Sequence, residues 1–190
     1  MEEEIKRIAI LASGGGSNAD NILNYFADGT KAEVALLACN KEGAGAFEVA
    51  NKWHIPSFLL TKENFLETED FIEFLQEMEV DFVVLAGFLW KVPSRLISMF
   101  PNRIVNIHPA LLPKYGGKGM YGHFVHEAVH AAGEKESGIT VHYVNENYDE
   151  GAIIFQATAT IDPSDGPAEI EKKVRKLEIE HFPKVIESIL

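Results

Sequence analysis

Cysteine is nearly absent: Cys39 is the one thiol in 190 residues. No disulfide can form within the chain, so the fold does not rest on an oxidising compartment. Cations are also scarce, with 17 Lys and Arg against 29 Asp and Glu and a net charge of −12. Such a chain lacks the positive field that draws proteins onto phosphate backbones, which argues against a general nucleic-acid partner. A small anionic ligand stays open, because amides at a helix N-terminus bind phosphate without net positive charge. Long apolar runs are missing too. The longest mostly apolar stretch, Phe82 to Trp90, spans nine residues, where a membrane helix needs about 20. The opening Met1-Glu2-Glu3-Glu4 is acidic and the first apolar stretch, Ile8 to Ala12, is short, unlike a signal peptide. No repeat, low-complexity tract or linker interrupts the chain. These absences predict a soluble, cytoplasmic protein with no membrane partner, organised as a single domain over 1–190.

The content suits a packed core, at 46% apolar and 24% charged residues. Arg7 to Ala12 reads as a buried strand entering the tight loop Ser13-Gly14-Gly15-Gly16. A helix over Asn18 to Ala27 follows, then a strand Val34 to Cys39, a helix Ala44 to Trp53 and a short strand Pro56 to Leu60. Asn64 to Met78 has the period of one amphipathic surface helix. Asp81 to Ala86 and Ile104 to Ile107 read as strands around a helix Pro93 to Phe100. This alternation predicts an α/β fold with a Rossmann-like, mostly parallel sheet flanked by helices. Gly138 to Val144 and Ala152 to Ile161 then form a C-terminal strand pair. Glu169 to Leu190 is the closing helix, kinked or broken at Pro183.

Ligands of open α/β sheets bind beyond the carboxyl ends of the strands, and four segments fall there. Ser13 to Asn18 places glycines and a helix start where backbone can approach an anion, although a plain tight turn reads the same way. Gly14-x-Gly16-x-x-Ala19 fits the dinucleotide fingerprint, but the second strand ends Ala38-Cys39-Asn40 without the ribose-binding acid, which disfavours a nicotinamide cofactor. Asn106 and His108 share one side of the fifth strand, where an amide and an imidazole can stabilise an oxygen that becomes negative. A lone histidine can equally be structural. Asp149 lies in an acidic loop that reads either as solvated surface or as the place of a carboxylate that meets His108, stabilises its imidazolium and raises its pKa. His142 reads as either a second polar group there or a core histidine. Leu89-Trp90-Lys91-Val92 suits a flat heteroaromatic ligand, or the core. His126 and His130 have the i, i+4 spacing of helical metal ligands, but no HExxH or nearby cysteine supports a metal.

Val105 to Tyr115, with Ser13 to Asn18, Leu85-Ala86-Gly87-Phe88 and Tyr148-Asp149-Glu150-Gly151, resembles the phosphoribosylglycinamide formyltransferase family. The resemblance runs in order through most of the chain. It implies a formyltransferase-type catalytic domain that moves the formyl group of 10-formyltetrahydrofolate to the amine of 5-phosphoribosylglycinamide, in de novo purine (IMP) biosynthesis. It implies a general-acid role for His108, a carbonyl-oxygen donor in Asn106 and a supporting carboxylate in Asp149. Gly16, Ser17 and Asn18 match the substrate phosphate and ribose loop, and Leu89, Trp90, Lys91 and Val92 the pterin pocket. By position, Lys62 stands for a basic folate contact and Glu178 for an acid that contacts the glycinamide substrate. The folate is a co-substrate; no metal is implied, and the chain would act as a monomer or a homodimer. The loop Gly116 to Gly122 is longer than in the family's better-known bacterial members, so the resemblance gives it no role. The alternative is a formyltetrahydrofolate hydrolase (deformylase) with the same Asn-His-Asp site and water as acceptor. Methionyl-tRNA formyltransferase fits less well at this net charge, and a non-catalytic nucleotide-binding module would have no use for the triad.

Overall fold

A computed structural model describes residues 5–28 and 31–190. The acidic start, Met1 to Glu4, lies outside the described residues. Strand β1 (Lys6–Ala12) leads into helix α1 (Ser17–Tyr25), and β2 (Ala32–Cys39) into α2 (Gly45–Lys52). The short β3 (Ser57–Leu59) precedes α3 (Asp70–Glu77), and β4 (Phe82–Leu85) precedes α4 (Ser94–Met99). After β5 (Ile104–His108) come α5 (His123–Ala131), β6 (Glu136–Tyr143), β7 (Ile153–Thr160) and α6 (Pro167–Ile189).

The strands form one seven-stranded sheet in the order β3-β2-β1-β4-β5-β6-β7. β1 to β5 are parallel, while β6 pairs antiparallel with both β5 and β7. Alternate residues of β1 supply two cores: Ile8, Ile10 and Ala12 pack beneath α1, α2, α5 and α6, and Ala9 and Leu11 pack on the face of α3 and α4. That two-sided burial explains why the first strands read as unbroken apolar runs rather than alternating ones. Strand order reverses between β1 and β4, so their carboxyl ends splay apart and leave a crevice.

Two local expectations need correction. The amphipathic stretch 64–78 is not one helix. It divides into a single π-type turn, Glu63–Glu67, and α3. Thr68 is extended, its N–H donates to Glu63 O at 2.9 Å, and its hydroxyl accepts from Asp70 N at 3.4 Å. A threonine that offers its side chain to the backbone in this way ends one turn and starts the next. The gain is that Phe65 and Phe71 both reach the core, each 1% exposed, a burial contributing about 1.5–3 kcal/mol per ring. Nor does α6 break at Pro183, which is buried inside a continuous helix. Proline leaves the carbonyl four residues back without its helical donor. Here that carbonyl, Ile179 O, accepts the Asn21 side-chain amide of α1 at 3.0 Å.

Candidate active site

The β1–α1 loop forms one wall of the crevice. Gly16 caps α1 at φ +79°, and a Cβ there would lie 2.9 Å from Ala46 Cα, so only glycine brings α1 this close to α2. Ser13 ties this loop to the one after β4: its N–H donates to Gly87 O at 3.1 Å, and its hydroxyl accepts from Leu89 N at 2.9 Å. Ser17 and Asn18 therefore face a cavity of about 590 Å³ from a fixed position. The Asn18 amide donates to Glu178 Oε2 at 3.0 Å. Burial pushes the Glu178 carboxyl up, against the lowering effects of Asn18 and Arg175. A part-buried carboxyl of this kind suits an incoming N–H donor.

The opposite wall is the end of β5. Asn106 and His108 line the same cavity, and His108 is 3% exposed. His108 Nε2 lies 2.7 Å from Tyr115 O, so that nitrogen carries the proton and donates it to the carbonyl. Nδ1 faces Asp149 Oδ2 at 3.6 Å. An imidazolium here donates Nε2–H to a carbonyl and holds its Nδ1 side in ionic contact with a carboxylate. Burial nevertheless holds the His108 pKa below its ordinary value, with Asp149 and the Tyr115 carbonyl working upward and His142 downward. The expected effect of Asp149 on His108 has the right sign as a pair, but desolvation outweighs it.

Asp149 sits at φ +57°, and its Oδ2 accepts the Gly117 N–H at 2.9 Å. Burial alone would raise its carboxyl, but His142, whose Nε2 lies 3.5 Å from Oδ1, His108 and the Gly117 amide together hold it below the ordinary carboxylate range. The loop turns back sharply at Gly151, where any Cβ would collide with the Tyr143 carbonyl. His142, 2% exposed, is buried and also lines the side cavity. Its Nδ1–H donates to Tyr143 O at 2.8 Å, leaving Nε2 to accept from the Asn106 amide at 3.2 Å. That contact fixes which way Asn106 points and leaves its second N–H for a ligand.

Trp90, Lys91 and Val92 line a side cavity of about 60 Å³ that shares Asn106, Tyr148 and Asp149 with the main one, while Leu89 lines the main cavity. Lys62 is exposed and lines neither. Glu171 and Arg175 join Glu178 along the cavity face of α6, and their i, i+4, i+7 spacing was the signal by which sequence reasoning could have found them. Lys118 and His126 also line the cavity and were not expected there. His126 is buried with Nδ1 unpartnered, whereas His130 is exposed, so the two do not converge.

Residues 6–186 match the family model described as formyl transferase. The chain is 40% identical over 99% of its length to a chloroplastic phosphoribosylglycinamide formyltransferase of Arabidopsis thaliana, of which it spans 66%. It is 37% identical over 98% of its length to the Bacillus subtilis phosphoribosylglycinamide formyltransferase and spans 95% of that protein. The crystal structure of glycinamide ribonucleotide transformylase 1 from Geobacillus kaustophilus superposes with a TM-score of 0.89 at 32% identity, covering 98% of this chain and all of that one. With the Asn106, His108 and Asp149 constellation at the strand ends and these matches along nearly its whole length, the chain belongs to the formyl transferase family, in its phosphoribosylglycinamide formyltransferase branch.

Proposed function

We propose that the protein transfers the formyl group of 10-formyltetrahydrofolate to the amine of 5-phosphoribosylglycinamide, a step of de novo purine biosynthesis. The observation that carries this reading is one cavity with two different walls: Ser17, Asn18 and Glu178 on one side, Asn106, His108 and Asp149 on the other. The α1 N-terminus takes the substrate phosphate, and Glu178 takes the glycinamide end. The pterin lies along Leu89 to Val92 and beside Asn106. Lys62 lies outside the cavity, and its exposed ammonium suits the part of the folate left in solvent.

The amine attacks the formyl carbon and negative charge gathers on the formyl oxygen. The free N–H of Asn106 and protonated His108 stabilise that charge. Collapse breaks the bond to the folate nitrogen, which takes the His108 proton as it leaves, the attacking amine returns one proton to the ring, and Asp149 keeps the imidazolium available for the cycle. The same reading makes 1–190 a single catalytic domain, acting in the cytoplasm as a monomer or homodimer, with no metal and no nucleic-acid or membrane partner.

Supplied with 10-formyltetrahydrofolate, the protein should release tetrahydrofolate rapidly only when the ribonucleotide is present. Equal release without it would make the protein a hydrolase.

A further inference from the structure

Five residues other than glycine hold a positive φ among the described residues: His54, Glu79, Asn102, Tyr115 and Asp149. The first three follow the ends of α2, α3 and α4, where a left-handed residue commonly stops a helix. Tyr115 and Asp149 stop no helix. Both touch His108, one at each ring nitrogen. Backbone held in the left-handed region away from helix ends persists only where surrounding contacts enforce it, and such positions gather at functional sites.

The contacts that enforce Tyr115, at φ +56°, lie outside the cavity. Its phenol donates to Glu134 Oε1 at 2.9 Å, and Lys114 Nζ donates to the same oxygen at 2.9 Å. The segment just before it is pinned separately. Leu112 N donates to Thr140 Oγ1 at 3.0 Å, Thr140 donates to Ala110 O at 2.7 Å, and the Gln156 amide donates to Leu112 O at 3.0 Å. The chain between His108 and the glycine-rich loop is thus held at two points, and the Tyr115 carbonyl is delivered to Nε2 as a result.

We propose that Tyr115 and Glu134 are positioning residues of the formyl transfer: Glu134 holds the Tyr115 phenol, which sets the Tyr115 carbonyl against His108 Nε2 and leaves Nδ1 as the nitrogen that faces Asp149 and the reacting centre. The idea rests on the formyl-transfer reading for its kinetic consequences but not for its structural one. With Nε2–H committed to a carbonyl, a neutral His108 has a single tautomer, and the proton that comes and goes is the one on Nδ1. A loosened carbonyl lets the ring flip or exchange tautomers, which misplaces that proton without touching either substrate.

Tyr115→Phe and Glu134→Leu should each lower kcat about tenfold while leaving both KM values within about twofold. Glu134→Gln, which keeps an acceptor for the phenol, should recover most of the loss. The alkaline limb of the pH–rate profile should move down in the two disabling variants, because the Tyr115 carbonyl favours the charged ring. Asp149, His142 and His126, the other titratable groups facing His108, are unchanged in all three. Nitrogen NMR of His108 above its titration gives a readout that needs no activity. Wild-type protein should show Nε2 protonated and Nδ1 bare, and the disabling variants a mixture. Wild-type protein protonated at Nδ1, or disabling variants with wild-type tautomer, kcat and pH limb, would overturn the assignment. A wild-type protein that shows the tautomer but transfers no formyl group would uphold the clamp and sink the proposed reaction instead.

Discussion

The two walls of the crevice are built in opposite ways. The β1–α1 wall is set by backbone: glycine at the helix cap, main-chain bonds to the neighbouring strand end, and a serine hydroxyl that accepts one more amide. The β5 wall is set by a web of side chains and two left-handed residues around one buried imidazole. A wall of the first kind can bind an anion with little loss of order, because its donors are already fixed. A wall of the second kind can hold a proton donor whose pKa is poised between burial and a carboxylate. The proposed reaction would use the first wall for binding and the second for proton transfer.

Substitutions on each wall should therefore give distinct signatures. The largest effect belongs to the proton side. His108→Ala should lower kcat by at least about 100-fold, the usual contribution of a positioned general acid, with the far-ultraviolet circular dichroism unchanged. Near wild-type turnover in a folded variant would remove His108 from the chemistry. Asp149→Asn should be milder, about tenfold in kcat at neutral pH. The carboxylate raises the His108 pKa, so its loss should depress that pKa further and withdraw the protonated ring at the alkaline side of the profile. An unchanged or raised His108 titration by NMR refutes the pairing.

On the binding side, Ser17→Asp should raise KM for the ribonucleotide roughly tenfold and leave kcat and folate binding nearly alone, since a carboxylate beside the phosphate site repels it. A carboxylate in the first turn of α1 suits the helix dipole, so melting temperature should hold or rise. The smallest effect is one of stability. Glu178 has its carboxyl raised by burial, so it favours the fold below its unfolded pKa and opposes it as pH rises above that value. Glu178→Gln should therefore raise the melting temperature by roughly 2–4 °C at pH 7, an advantage that vanishes near pH 4, while weakening ribonucleotide binding. A variant less stable at pH 7 would mean that the Asn18 contact outweighs the desolvation.

The binding wall was also the more legible one. Strand, glycines and helix start follow each other in the sequence, so Ser13 to Asn18 announces its geometry locally, and the parallel sheet is readable because its strands are apolar throughout. Asn106 and His108 stood out by residue type and strand-end position, and Asp149, in the loop between β6 and β7, by its acid, but their roles came from the family resemblance. What sequence could not supply is the set of groups that act through main-chain atoms, Tyr115 O and Gly117 N, since any residue carries them. His142 stayed ambiguous because it is buried and lines a cavity at once. The split before α3 escaped because Thr68 keeps the helical period of its neighbours while leaving the helix. Lys62 rested on its approximate position in the family resemblance alone, and no local feature brings it to the cavity.

The fate of the formyl carbon tests the division of labour between the walls most directly. Protein mixed with 10-formyltetrahydrofolate labelled in the formyl group and with 5-phosphoribosylglycinamide should place the label on the glycinamide nitrogen, one for each tetrahydrofolate released. Label recovered as formate, with the ribonucleotide unaltered, would contradict the account, because the binding wall would then present no amine to the proton wall.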